Sequence, residues 1–302
     1  MATVSVPRLS PAARRNIEGY LFISPWLVGI LAFTLIPFVF SFVLGFTEWK
    51  ISEPPEFIGL QNYQRLFKDE LFWKSLRVTT TFVVISVLLR VSIALFLASL
   101  IHRCHTSRRF FLAGFYLPVM FSGVVLAIVW GAMFSFDYGL INDLLRRIGI
   151  MGPRWLSNPT TALIAIITMS AWRIGGMTVI FLAGIEDIPT ELHEAAEIDG
   201  ANAFQRWLYV TIPMLTPIVL FNLVTSLIAS FQVFAEVRVL TGGGPYNSTM
   251  VYMIYLYRQA FQYFNMGYGS ALAWVMFLIV VLLTLGVLRS SKSWVYYGGV
   301  RI

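Results

Sequence analysis

Glu194-Ala195-Ala196-Glu197-Ile198-Asp199-Gly200-Ala201 is a polar stretch held between two long apolar runs, residues 161–184 and 213–234. Each run reaches the roughly 20 residues that a helix needs to cross the hydrocarbon core of a bilayer, so the stretch reads as a loop at a membrane surface. Working outward, residues 20–46, 78–101, 110–134 and 269–288 are apolar runs of the same kind. Composition agrees, since 58% of the 302 residues are hydrophobic and 12% charged, against roughly 25% charged in a soluble domain. The sequence predicts an all-α integral membrane protein with six transmembrane helices: a tail at 1–19, a membrane domain at 20–289 with a polar loop at 186–212, and a second tail at 290–302.

Arg8, Arg14 and Arg15 precede the first run, and Arg103, Arg108 and Arg109 follow the second. Basic residues in short connections mark the cytoplasmic side, which places both termini inside. The first run is too long for a signal-peptide core and lacks a small-residue cleavage site, so it is expected to be retained. Residues 47–77, 135–160 and 235–268 are then outward loops, expected as surface connections.

Several chemistries are excluded. The net charge of +7 fits basic loops against anionic membrane lipid, and no basic stretch interleaved with aromatics points to nucleic acid. Cys104 is the sole cysteine, and its neighbours His102 and His105 lack a fourth ligand, so no metal is expected. Gly242-Gly243-Gly244-Pro245 reads as a turn, because no GxxxxGK[ST] phosphate loop occurs anywhere.

The polar loop has the features of a helical elbow. Pro189 ends the preceding segment, Thr190 is expected to cap a short helix, and Glu191 and Glu194 favour the positive end of its dipole. Gly200 ends that helix. Asn202 is expected to cap a second short helix running through Phe204, Trp207 and Leu208 to Pro213. Ala195 and Ala196 allow close approach of another surface, and six acidic residues lie between Glu186 and Asp199. Those carboxylates would repel anionic lipid, which leaves two readings: a surface for a basic protein partner, or a solvated loop.

Polar groups within the apolar runs mark a candidate solute path. Asn222, Ser226 and Ser230 recur every fourth residue, with Thr225 beside them and Gln232 beyond. They suit the hydroxyls of a sugar, or they join helices for roughly 0.6 to 2 kcal/mol each. Arg173, beside Trp172 and followed by Gly175-Gly176, carries a mid-span charge that costs roughly 2.5 to 3.5 kcal/mol on insertion scales. It reads either as a cavity residue meeting a hydroxyl, carboxylate or phosphate, or as half of an ion pair with a carboxylate such as Glu236. Arg90 reads as a packing or snorkelling residue.

The loop also resembles the coupling segment of type I ABC importers of the carbohydrate-uptake kind. That family's pattern, E-A-A, three residues, G, nine residues, I-x-L-P, is matched by Glu194, Ala195, Ala196, Gly200, Val210, Ile212 and Pro213, with Val for Ile and Ile for Leu. Leu182-Ala183-Gly184-Ile185 and Ile198-Asp199-Gly200-Ala201 match the sugar-permease form. Leu240-Thr241-Gly242-Gly243-Gly244-Pro245 and Ser293-Trp294-Val295-Tyr296-Tyr297 are similar to the first permease subunit of maltose and glycerol-phosphate systems.

The resemblance implies a permease subunit that imports a sugar or oligosaccharide, or a polyol derivative such as glycerol 3-phosphate. It implies as partners a second, different permease, two ATPase subunits that bind ATP and Mg, and an extracytoplasmic binding protein. Coupling falls to Glu191, Glu194, Ala195, Ala196, Asp199, Gly200, Ala201 and Pro213, and Ser170, Arg173, Ser230 and Gln232 lie near positions lining the family's sugar site. No catalytic residue or cofactor is expected in this chain. A secondary transporter would be expected to show intramembrane carboxylates, and a membrane enzyme a cluster of nucleophile, base or metal ligands; the apolar runs offer neither.

Overall fold

The computed structural model describes residues 10–50, 53–104 and 107–296. Arg8, His105, Tyr297 and the side chain of Arg14 lie outside the described residues. The chain runs through α1 (Arg15–Leu44), an antiparallel pair β1 (Thr47–Glu48) and β2 (Glu56–Phe57) with Thr47 opposite Phe57, then α2 (Gln61–Lys68) and α3 (Glu70–Arg103). Next come α4 (Arg108–Met120), α5 (Gly123–Met133), α6 (Leu140–Arg147), α7 (Pro159–Ser170), α8 (Gly175–Glu186) and α9 (Thr190–Ile198). The last elements are α10 (Ala203–Phe231), α11 (Ala235–Leu240), α12 (Tyr252–Tyr257) and α13 (Met266–Trp294).

Among the described residues, α1, α3, α10 and α13 are each long and apolar enough to cross a membrane alone, and the bent pairs α4–α5 and α7–α8 bring the spans to six. The fourth span bends just before Gly175-Gly176, a pair able to bend a helix, and the third span bends as well. Between α4 and α5 the direction turns by 104°. Pro118 lies in a 3-10 turn at Leu117–Met120, Phe121 is extended, and Ser122 restarts the helix by accepting from the Val125 amide at 3.3 Å. Between α7 and α8 the turn is 47°. Gly175 begins α8 against α4, where an added Cβ would lie 2.2 Å from the Phe115 carbonyl oxygen.

Two prolines leave their helices unbroken. π turns at Leu31–Leu35 and Trp207–Thr211 precede Pro37 and Pro213, with the Ile36 amide donating to the Leu31 carbonyl and that of Ile212 to the Trp207 carbonyl. The wider turn gives room to a ring that would otherwise press on the preceding turn. The short helix expected to stop at Pro213 is therefore the first part of one continuous α10.

The core gathers around α3, which packs along α8 and α10 and, at its N-terminal end, against α12. Val83, Val87, Val91, Ala94, Ala98 and Ile101 form its buried stripe, meeting Phe181, Leu182 and Ile185 of α8 and Leu215 of α10. Hydrocarbon solvates leucine as well as protein does, so close van der Waals packing holds such helices together. Gly184 supplies a near approach, since a Cβ there would lie 2.0 Å from Cδ1 of Ile218.

Residues 235–268, expected as a surface connection, instead fill the N-terminal end of α3. Met250, Val251, Tyr252, Ile254 and Tyr255 are buried, and Tyr252 ties the segment to its neighbours, its amide donating to Thr79 Oγ1 of α3 and its hydroxyl to the Leu272 carbonyl of α13. Asp69 joins three elements: it caps α3 by accepting from the Leu71 and Phe72 amides, and it accepts from the hydroxyls of Tyr255 and Tyr268. Burial pushes the Asp69 carboxyl up, but the four hydrogen bonds outweigh it and hold it below the usual carboxylate range. The Gly242–Gly244 turn is as expected, with φ of +58° and +96° at its first two glycines.

Replacing Asp69 with Asn is expected to lower stability by about 1.5–3 kcal/mol by removing a charged acceptor, measured by thermal unfolding in detergent. A depressed carboxylate contributes fully above its unfolded pKa and loses the contribution as pH falls through the lower folded value, so the Asp69 contribution to the melting point should be full and independent of pH near neutrality and disappear only in acid. Gly175→Ala is expected to cost about 1–3 kcal/mol by overpacking, and Gly176→Ala, with open space around its Cβ, should cost nothing.

Candidate functional site

The elbow is α9 and the turn into α10. Pro189, with φ −55° and ψ 130°, occupies the cap position, so Thr190 becomes the first helical residue and its hydroxyl caps nothing. That differs from the expected Thr190 cap: the extended Pro189 already sets the chain into the helix. Gly200 closes α9 at φ +82°. Its amide donates to the Glu197 carbonyl at 3.0 Å and that of Ala201 to the Ala196 carbonyl at 2.9 Å, the paired bonds of a Schellman ending. Asn202 then starts α10 in a reciprocal capping box with Gln205.

No residue of α9 is buried. Ile198 is 87% exposed and Phe204, just beyond the turn, 67%. Glu197 pairs with Arg206 across the elbow, and Glu186 pairs with Arg108 at the start of α4. Glu191, Glu194 and Asp199 are exposed and form no ion pair among the described residues. Ala195 is exposed, Ala196 and Ala201 are half-buried, and Pro213 lies in the first turn after the π turn. Trp207 donates its indole N–H to Ser99 Oγ of α3 at 2.9 Å, a tie between distant segments that no local pattern reveals.

The second site is a cavity of about 160 Å³ between α3, α7, α10 and α11, lined by Arg90, Ser170, Arg173, Ser230, Gln232 and Glu236 among others. Arg173 Nη1 donates to Glu236 Oε1 at 3.1 Å, so the alternative of an ion pair with Glu236 is realised, within the cavity wall. Glu236 reaches its place because Gly123 lacks a side chain: a Cβ there would lie 2.5 Å from Glu236 Oε1.

Arg90 is bound into the helix packing. Its Nη2 donates to Ser226 Oγ at 2.8 Å and to Ser230 Oγ, and Nε to the Ser86 carbonyl at 3.3 Å. Of the residues nominated for a solute path, Ser170, Arg173, Ser230 and Gln232 line this cavity. Ser226 is turned to Arg90, Asn222 is buried with its amide on the Ile218 carbonyl, and Trp172 meets Trp130 edge to face at 5.6 Å. Sequence marked Arg90 as mid-span, but no pattern within one helix reveals that its acceptors stand on another. No group of three or more candidate metal ligands occurs among the described residues.

Comparison with known proteins identifies the family. Residues 90–292 match the family described as the binding-protein-dependent transport system inner membrane component. The chain is 44% identical to the probable ABC transporter permease protein YesP of Bacillus subtilis, over 93% of each chain. It is 36% identical to the probable starch degradation products transport system permease protein AmyD of Thermoanaerobacterium thermosulfurigenes, over 90% of this chain and 92% of that one. With the lactose transport system permease protein LacF of Rhizobium radiobacter it shares 35% identity over 94% and 96%. A chain of the crystal structure of a bacterial alginate ABC transporter, in complex with alginate pentasaccharide-bound periplasmic protein, superposes with a TM-score of 0.84 over 95% of this chain and 98% of that one; at 23% identity this shows the shared fold. The chain is a multi-pass membrane permease and belongs to the family of inner membrane components of binding-protein-dependent transport systems.

Proposed function

We propose that this chain is the permease subunit of an importer that moves a sugar or oligosaccharide inward, driven by a separate ATPase that docks on the elbow. The observation that carries the reading is α9: a nine-residue helix with no buried residue, small at Ala195 and Ala196, acidic at Glu191 and Glu194, and ending in exposed Ile198. A helix this exposed beside a membrane, with apolar and charged groups side by side, suits the groove of a partner protein. In this reading the elbow and both termini face the cytoplasm, where the ATPase would bind ATP and Mg.

Named relatives favour the solute class, since starch degradation products and lactose appear in the names of two of them. The polar lining at Ser170, Ser230 and Gln232 offers the donors and acceptors that sugar hydroxyls require. A second permease, two ATPase copies and an external binding protein complete the proposed assembly. In this division of labour the present chain provides the path and the lever, and hydrolysis belongs to the ATPase.

The elbow is built to transmit force. The Schellman ending, the capping box, the Glu197–Arg206 pair and the Trp207–Ser99 bond fix α9 to α10 and α3. A push on α9 would thus move two spans together, as alternating access needs.

Affinity capture of the tagged chain from its native membrane is expected to retain a second permease and a Walker-motif ATPase. Glu194→Lys should reduce ATPase recovery at least about tenfold, the scale of one lost charged hydrogen bond. Gly200→Val places a branched side chain in left-handed backbone at a cost of about 1–2 kcal/mol; insertion should persist and uptake should vanish. Full uptake by that variant would refute the lever.

A further inference from the structure

Charge in the interior cavity is unbalanced. Two guanidiniums, Arg90 and Arg173, share its wall with one carboxylate, Glu236, and Arg173 takes that carboxylate. No acidic group forms an ion pair with Arg90 among the described residues. The residual charge is +1, at the middle of a span, where a lone cation is costly.

The hydrogen bonds of Arg90 use Nε and Nη2. A guanidinium has five N–H donors, and the two on Nη1 have no partner among the described residues. Ser226 and Ser230, both buried on α10, fix the plane of the group, and a fixed fork is the geometry that suits a carboxylate. Ser170 and Gln232, on the same wall, are suited to hydroxyls.

We propose that Arg90 recognises a carboxylate of the transported solute, so that the importer carries an acidic saccharide bearing a uronate group. The inference rests on the sugar-import reading above and specifies its substrate class. A carboxylate of charge −1 balances the single residual positive charge. A phosphomonoester at about −1.5 to −2 exceeds it, which disfavours glycerol 3-phosphate. Arg173, the residue that drew attention in the sequence, is the secondary cation because Glu236 already answers it.

The test uses the complete importer with its partner chains and binding protein in proteoliposomes loaded with ATP. It is offered a pool of neutral and uronate-bearing di- and trisaccharides together with glycerol 3-phosphate, and the internalised solutes are identified by mass spectrometry. The wild type is expected to accumulate the uronate-bearing saccharides. Arg90→Gln should lower the ratio of acidic to neutral uptake at least about tenfold, and Arg90→Lys, which keeps the charge, should restore part of that ratio.

Uptake of neutral saccharides alone overturns the uronate assignment and leaves sugar import standing. Equal loss of acidic and neutral uptake in Arg90→Gln, or release of the partner permease, makes Arg90 a packing residue and also overturns it. Accumulation of glycerol 3-phosphate alone, or of none of the solutes by an importer whose ATPase responds to its binding protein, defeats the sugar reading itself.

Discussion

In hydrocarbon no water is at hand to satisfy a freed backbone amide, so every interruption of a spanning helix has to be repaired by the protein. This constraint organises the chain. Asp69 caps α3, Ser122 caps α5, Asn158 caps α7 and Asn202 caps α10. Where the chain breaks without a polar cap, a glycine brings another backbone close instead, as Gly175 does beside the Phe115 carbonyl. Pro37 and Pro213, which could have broken α1 and α10, follow π turns and leave both helices continuous. The bends are therefore built features with side chains assigned to them.

The breaks are also neighbours. Gly123, at the start of α5, admits Glu236 of α11; Glu236 holds Arg173, in the gap between α7 and α8; and Gly175, at the end of that gap, lies against α4. Interrupted helices thus surround the cavity that carries the polar side chains. Nonhelical backbone at membrane depth is tolerated where it is buried in protein or lines a cavity, and here it does both.

Much of this was legible in the sequence because hydropathy and capping are local. Six apolar runs, the elbow, the Gly200 stop, the Asn202 cap and the glycine turn at 242–244 all follow from residues within a few positions of one another. What was not legible depends on contacts between distant segments. Residues 235–268 look like a surface connection until Thr79 Oγ1 is seen to accept from the Tyr252 amide and Asp69 from Tyr255 and Tyr268. Thr190 looks like a cap until the extended backbone of Pro189 takes that position. Arg90 reads as a packing or snorkelling residue, and the two serines of α10 show it packing between helices; for Arg173 the sequence names Glu236 as a possible partner, and the folded chain brings the two together.

The continuity of α10 joins the two sites. At 29 residues and 1.5 Å of rise per residue it is about 43 Å long, with the elbow at one end and Ser226 and Ser230 near the other. A displacement delivered to α9 passes through the Gly200–Asn202 turn into this helix, and its far end carries the two acceptors that orient Arg90. Because Trp207 also bonds Ser99 of α3, and Arg90 stands on α3, a push shared by both helices would preserve the Arg90 clamp, whereas sliding of one past the other would open it. The π turn at Trp207–Thr211 lies between the elbow and the span, and a wider, less regular turn is where a rigid helix yields first. In the proposed importer, the fit of solute to Arg90 and the stiffness of α10 are then two aspects of one coupling, since the motion that reaches the cavity acts on the serines that hold its charge.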